Sequence, residues 1–105
     1  MTDKYILGGD DGRTPVPVND LMVWAHWFET ANRRVAVDHV GPYRVSTVFI
    51  GLNHAFSEEH PPLLFETMVF EGQSGGRDME RCSTWDEAVE LHELIVARLK
   101  RELSG

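Results

Sequence analysis

The chain has 105 residues and a net charge of −7, with hydrophobic and charged fractions of 42% and 26%. This composition excludes wholesale disorder, and the length predicts one domain, residues 1–105, that buries roughly 65% of its unfolded surface. The negative charge opposes attraction to phosphate backbones, so we expect no direct nucleic-acid binding and favour a basic protein partner.

The apolar runs and the N-terminus exclude further classes. No apolar run approaches the roughly 20 residues that a membrane-spanning helix needs, and residues 1–5 lack the pattern of a secretory signal. The single cysteine, Cys82, excludes an internal disulfide and fits a reducing compartment. We therefore expect a cytoplasmic protein with no membrane association.

The N-terminal third predicts a short strand at residues 4–7, a turn-rich loop at residues 8–17 and one helix. The loop is rich in glycine but lacks the Gly-Lys-Ser/Thr ending of a phosphate-binding loop. Asn19 is the predicted N-cap of the helix. The apolar spacing of the helix predicts a buried stripe, which consists of Leu21, Trp24, Ala25 and Phe28 and is widened by Met22, Trp27 and Ala31.

The middle of the chain alternates like strands of one antiparallel sheet. Residues 34–40 and 43–52 flank Gly41 and Pro42, and a two-residue turn there would pair Val40 with Tyr43 and His39 with Arg44. The face with the more uniformly apolar residues is the predicted core. It holds Val35, Val37, Val48, Ile50 and Leu52, to which residues 63–71 add Leu64, Glu66, Met68 and Phe70.

The opposite face is predicted to lack a covering helix. Beside Ala36 and Asp38 it holds Val45, Thr47, Phe49, Phe65, Thr67 and Val69. A half-apolar open face of this kind is typical of a surface that binds a protein partner or forms a homodimer. We therefore predict the last six of these residues as the binding site.

The C-terminal third predicts a loop at residues 72–78, a short edge strand at residues 80–82 and a final helix. Thr84 and Glu87 form a capping box at the start of this helix. Its buried stripe consists of Ala88, Leu91, Ile95 and Leu99. The order β-α-β-β-β-α predicts an α+β two-layer sandwich, in which two amphipathic helices cover one face of an antiparallel sheet of three to four strands.

Histidines and one carboxylate are the candidates for chemistry. The five histidines are His26, His39, His54, His60 and His92, and none has the spacing of a known ligand pair. His92 lies beside the buried stripe of the last helix, where a hydrogen-bonded structural histidine is the simpler interpretation. We assign no catalytic residue, metal ligand or cofactor.

Glu66 is the least expected residue, because a carboxylate in a central strand is costly to bury unless it is paired. Arg44, His39 or Ser46 would be its partner in a structural ion pair or hydrogen bond, and a general base is the alternative. A polar cluster of His39, Arg44, His54 and Glu66 is thereby predicted. If His54, His60 and Glu66 converged, the chain would instead be a small metal-dependent hydrolase.

Three segments carry a resemblance to a known family. They are residues 46–54 (STVFIGLNH), 62–70 (PLLFETMVF) and 83–88 (STWDEA) followed by His92, supported by residues 24–29 and 33–36. This pattern, over most of residues 5–93, resembles an uncharacterised family of small phage- and prophage-encoded proteins. The family implies a genomic setting but no active site, and its members often have aspartate at the position of Asn53.

The resemblance also bears on function. Small acidic phage proteins without catalytic motifs are frequently modulators that bind host or phage proteins, including inhibitors of bacterial defence complexes. The resemblance therefore implies a non-catalytic protein-binding modulator. A phage assembly component and the metal-dependent hydrolase are the alternatives.

Overall fold

The computed structural model describes residues 2–55, 57–73 and 76–105, which form an α+β fold, as predicted. In chain order the elements are β1 (Tyr5–Gly8), β2 (Thr14–Pro17), α1 (Leu21–Thr30), β3 (Arg34–Val40), β4 (Tyr43–Phe49), β5 (Phe65–Glu71), β6 (Gly76–Cys82) and α2 (Trp85–Ser104). Strands β3 to β6 form one antiparallel sheet in sequential order, and β1 pairs with β2 in a separate hairpin.

Two strands differ from the prediction. Strand β2 contains Pro15 and Pro17, which lack the N–H that an inner strand must donate. The hairpin tolerates them because β2 pairs with β1 alone among the described strands and is therefore an edge. Strand β6 begins at Gly76 and is longer than the predicted edge strand. Residues 74 and 75 of the predicted loop lie outside the described residues.

The turn between β3 and β4 fixes their register as predicted. Val40 pairs with Tyr43 and His39 with Arg44. Gly41 has φ +56°, a conformation that glycine adopts without the steric cost other residues pay. The register shifts by one residue between Arg34 and Ala36, which marks a bulge near the start of β3.

The assignment of the two sheet faces was wrong. The six residues predicted to form an open binding face are at most 1% exposed and lie beneath α2; they are Val45, Thr47, Phe49, Phe65, Thr67 and Val69. The prediction favoured the more uniformly apolar face, because two threonines interrupt this one. Burial leaves neither threonine hydroxyl without a partner, because Thr47 and Thr67 hydrogen-bond to each other and Thr47 also hydrogen-bonds to His92 of α2.

A row of edge-on aromatic rings joins both helices to the sheet. Trp27 of α1 packs against Phe49 with ring centroids 5.7 Å apart, Phe49 lies 5.2 Å from Phe65, and Phe65 lies 6.2 Å from Trp85 of α2. Edge-to-face contacts at these distances stabilise a core beyond the area that they bury. A second cluster, farther along α2, consists of Val40, Val45, Val69, Ile95 and Leu99.

Helix α1 packs less deeply than predicted. Its N-cap is Asp20 instead of Asn19, because the Asp20 carboxylate accepts hydrogen bonds from the first-turn amides. Leu21 and Met22 are 59% and 74% exposed, so they do not belong to its buried stripe. Trp24 is half-buried, and its Nε1–H is shared between the carbonyl oxygens of Tyr5 and Gly51.

Helix α2 follows the prediction closely. Thr84 and Glu87 make both hydrogen bonds of the capping box. The residues that the helix buries are Ala88, His92, Ile95 and Leu99. The predicted Leu91 lies at the margin of this stripe, and His92 takes a fully buried place.

Candidate functional site

The face of the four-stranded sheet opposite α2 is a surface that no described helix covers. Side chains alternate along a strand, so the residues between the buried positions of β4 and β5 point to this side. The cross-strand registers define this open face, which consists of Arg34, Val37, His39, Arg44, Ser46, Val48, Glu66, Met68, Phe70, Met79 and Arg81.

Five residues of the open face are apolar. The sequence analysis placed four of them in the core and assigned the fifth, Met79, to neither face. Val37, Val48, Met68 and Phe70 are half-buried, and Met79 is 48% exposed. Met68 lies directly opposite Met79 and two residues from Phe70 on the same strand, so these three form a contiguous apolar patch. Val37 and Val48 lie diagonally from it, interspersed with polar side chains. Contiguous exposed apolar surface marks interaction sites more often than scattered apolar residues do.

Charged groups on the open face are held by specific contacts. The Arg81 Nε–H donates to Glu66 Oε2 at 3.1 Å, and the Arg44 guanidinium lies 4.3 Å from the centre of the Phe70 ring. The prediction that Glu66 makes a structural ion pair is confirmed, although its partner is Arg81 and not Arg44, His39 or Ser46. Glu66 accepts a charge-assisted hydrogen bond and is not set up as a free general base.

The predicted polar cluster is only partly assembled. His39 and Arg44 are cross-strand neighbours, and Glu66 lies on the same face. His54 lies beyond the end of β4, where it is exposed and its ring Nδ1–H donates to the carbonyl of Leu52. No hydrogen bond joins His54 to Glu66 among the described residues.

The hydrolase alternative gains no support from this geometry. His60 is exposed, and its ring nitrogen contacts the carbonyl of the adjacent Pro61. In residues 2–55, 57–73 and 76–105, no group of three His, Cys, Asp or Glu side chains comes close enough together to hold a metal ion.

A series of hydrogen-bonded polar groups runs from the exposed Asp38 carboxylate through the buried His92 of α2 into the centre of the sheet, and the sequence did not predict it as a unit. The Asp38 carboxylate accepts from His92 Nε2–H at 2.8 Å, His92 Nδ1 lies 2.7 Å from Thr47 Oγ1, and Thr47 Oγ1 lies 2.6 Å from Thr67 Oγ1. With a neutral imidazole, the Thr67 hydroxyl donates to Thr47, which donates to His92. Every group in the chain is then satisfied.

The order carboxylate, imidazole, hydroxyl is also that of a hydrolytic triad, but here it is structural. Thr47 is 0% exposed and lies between the sheet and α2, so no substrate reaches its hydroxyl. The prediction that His92 is a hydrogen-bonded structural histidine is confirmed. The usable sequence signal was its spacing, because His92 falls on the same helix face as Ala88, Ile95 and Leu99.

The thiol of Cys82 is a weak nucleophile in this environment. Burial, and secondarily the negative charge of Glu87, raise the pKa of Cys82 to about 11. The thiolate is the reactive form of cysteine, and at neutral pH this thiol stays protonated.

Known proteins add no identification. No protein-family model, curated protein or solved structure matches the chain. The resemblance to a phage and prophage family therefore stays a prediction from the sequence pattern. Among the described helices, none combines the length and the apolar character needed to cross a membrane.

Proposed function

We propose that this chain is a phage- or prophage-encoded, non-catalytic modulator that acts in the bacterial cytoplasm. It binds a host or phage protein, and a bacterial defence complex is the partner class that the family resemblance favours. The observation that supports this proposal is the open face, where Met68, Phe70 and Met79 form an apolar patch that no described helix covers.

The composition of the open face suits protein binding. Met68 and Met79 have flexible, polarisable side chains that adapt to the shape of a partner. Phe70 supplies an aromatic ring, and Arg44 is held across that ring, so less side-chain entropy is lost on binding. Aromatic residues, methionine and arginine are the residue types enriched at protein interfaces.

Charge on the open face favours a partner with carboxylates. The face carries three arginines (Arg34, Arg44 and Arg81) against one glutamate, although the chain as a whole has a charge of −7. Guanidinium groups recognise carboxylates through paired hydrogen bonds. The net charge by itself would have favoured a basic partner, but at this surface an acidic one fits better.

The same charges disfavour a second copy of the chain on this face. Two open faces packed together would bring the arginines of both copies into one interface, where like charges repel. The sequence analysis predicted a homodimer through the face that α2 covers, and that face is buried and unavailable for self-association. We therefore propose a partner of a different sequence.

Affinity capture with matched variants tests this proposal. The tagged wild type, Phe70→Glu on the open face and Met22→Glu on α1 are used as baits in a lysate of a bacterial host. Met22 is apolar and 74% exposed but lies away from the sheet, so it controls for the added charge. We expect one partner to bind the wild type and Met22→Glu and to be lost with Phe70→Glu, while circular dichroism shows all three baits folded.

Retention of the same partner by Phe70→Glu would remove the open face from the interface and contradict the proposal. A partner identified as a virion component would instead support the assembly role. Capture thus separates the modulator from its main alternative.

A further inference from the structure

A groove runs between the outer strand β6 and helix α2, on the side of the sheet opposite the open face. Its volume is about 490 Å³, and we call it the edge groove. The residues that line it from β6 are Glu80, Arg81 and Cys82, and those that line it from α2 are Glu87, Glu90, Leu91 and Leu94.

One wall of the edge groove is a strand with a free edge. Strand β6 pairs with β5 on one side, and no described strand pairs with its other side. Every second backbone N–H and C=O of such a strand points outward and is available to another chain. The bulge of β6 lies between Gly76 and Asp78, so residues 78–82 keep a regular register for further pairing.

Helix α2 leaves room beside this edge. It packs most closely on β3, β4 and β5, and only slightly on β6. An extended segment added to β6 would therefore lie along the flank of α2 without displacing the helix. Strand addition beside a helix is a recurring mode of peptide recognition, in which the backbone supplies affinity and the groove supplies specificity.

The side chains of the edge groove select the chemistry of the added segment. Leu94 is 61% exposed and Leu91 is half-buried beside it, which gives an apolar wall. Glu80 and Glu90 add exposed carboxylates. Arg81 is the one basic residue of the lining, and its guanidinium is bound to Glu66 on the open face, so three glutamates of the lining stand against one arginine that already has a carboxylate partner.

We infer that the edge groove binds an extended basic segment of a protein partner, which pairs with β6 as a fifth strand. The side chains of the segment that face α2, at every second position, supply both the apolar contacts to Leu91 and Leu94 and the lysines or arginines that pair with Glu80 and Glu90. This inference goes beyond the proposed function, since it concerns a second surface and a partner segment of opposite charge. It also accounts for the basic partner that the net charge favours.

A second copy of the chain fits the edge groove poorly. In a pairing of β6 with β6, each copy would present its groove carboxylates to the other, and like charges brought together in an interface are unfavourable. Strand β6 itself carries two basic and two acidic residues and supplies no net positive charge to offset them.

A peptide titration tests the inference directly. The probe is an acetylated, amidated heptapeptide in which every second residue, the positions that face α2, is lysine and valine in turn, with serine at the positions between them. The control peptide has glutamate in place of lysine. In nuclear magnetic resonance spectra we expect the lysine peptide to shift amides of residues 78–82 and 87–94 and to slow hydrogen exchange in β6. The glutamate peptide should leave these signals unchanged.

Alkylation of Cys82 gives a second readout at the groove. With the lysine peptide at ten times its Kd, about nine-tenths of the grooves are filled, so iodoacetamide should modify Cys82 roughly tenfold more slowly. Glu80→Lys combined with Glu90→Lys should abolish this protection. Glu93→Lys is the matched control, because Glu93 is exposed on the same helix but does not line the groove.

Three results would overturn the inference. They are no binding up to millimolar peptide, equal weakening by Glu93→Lys, and peptide-induced shifts on the open face instead of β6. The Phe70→Glu variant should bind the peptide normally, so failure here is distinguishable from failure of the proposed function.

Discussion

His92 connects helix α2 to the middle of the sheet through hydrogen bonds in series. Its ring lies between the Asp38 carboxylate and the Thr47 hydroxyl, and Thr47 in turn contacts Thr67. Buried polar groups of this kind add specificity only when every member is satisfied, because an unpaired member costs its full desolvation. These hydrogen bonds thus fix the position of α2 over β4 and β5.

Thr47→Val should reveal this coupling. The change leaves the Thr67 hydroxyl and the His92 Nδ1 without partners, so we expect it to lower the free energy of unfolding by about 1–3 kcal/mol. Adding Thr67→Val should lower the free energy of unfolding little further, because it removes the Thr67 hydroxyl, one of the two groups left without a partner. Urea denaturation followed by circular dichroism measures both variants, and strictly additive losses would argue against a coupled chain.

Cys82 should be slow to alkylate in the folded protein. Because burial raises its pKa from 9.0 to about 11, the rate of reaction with iodoacetamide should keep rising until the pH approaches about 11. In the urea-unfolded chain the rate should level off near the ordinary value. Mass spectrometry of modified protein against pH distinguishes the two profiles, and identical profiles would mean that partial burial does not raise the pKa of the Cys82 thiol.

The raised pKa of Cys82 also makes the stability of the fold depend on pH. A thiol whose pKa is raised on folding binds its proton more tightly in the folded state. Its contribution to stability is therefore fully present below pH 9 and is lost as the pH rises through about 11. The alkylation profile and an alkaline unfolding titration should place this loss in the same pH range.

At the scale of single elements, each face of the sheet carries a phenylalanine, and the two differ in burial. Phe49 is 0% exposed under α2, whereas Phe70 is half-buried on the open face. Phe49→Glu removes core packing and buries a charge, so we expect a loss of more than about 4 kcal/mol and an unfolded chain. Phe70→Glu should cost about 1 kcal/mol and keep the fold. The melting temperatures of the two variants compare the faces. A higher melting temperature for Phe49→Glu than for Phe70→Glu would support the sequence-based prediction, in which Phe49 is exposed and Phe70 belongs to the core.

The start of α2 offers a smaller test. Thr84→Ala removes the side-chain half of the capping box and should cost about 1 kcal/mol. Ser83→Ala is the control, because only the backbone N–H of Ser83 takes part in the described hydrogen bonds. The midpoints of urea denaturation compare the two. Equal midpoints would mean that the cap contributes nothing measurable.

Local features of the sequence predicted the elements well. The capping box, the turn at Gly41 and the pairing of His39 with Arg44 depend on neighbouring residues, so they are readable without the rest of the molecule. The choice of sheet face depends on where α2 lies, and β4 and β5 are apolar on both sides. The candidate site was therefore not predicted as an exposed face, although the pairing of β3 with β4 next to the turn was predicted correctly.

At the scale of the whole molecule, charge is divided between the two sides of the sheet. The open face carries an excess of arginine, and the edge groove carries an excess of glutamate. A net charge of −7 describes neither surface, since it sums over the chain. Binding at one side need not obstruct the other, because β6 and the body of the sheet separate them.

This division predicts a monomer in solution. Self-association through the open face would bring arginines together, and pairing through β6 would bring groove carboxylates together, so both routes are opposed by charge. Sedimentation equilibrium at about 0.15 M salt, where the Debye length is about 8 Å, should return the monomer mass of 11.9 kDa. A dimer that Phe70→Glu dissociates would make the open face a self-interface and overturn the proposal of a different partner. A dimer that survives Phe70→Glu but not Glu80→Lys would assign the edge groove to a second copy.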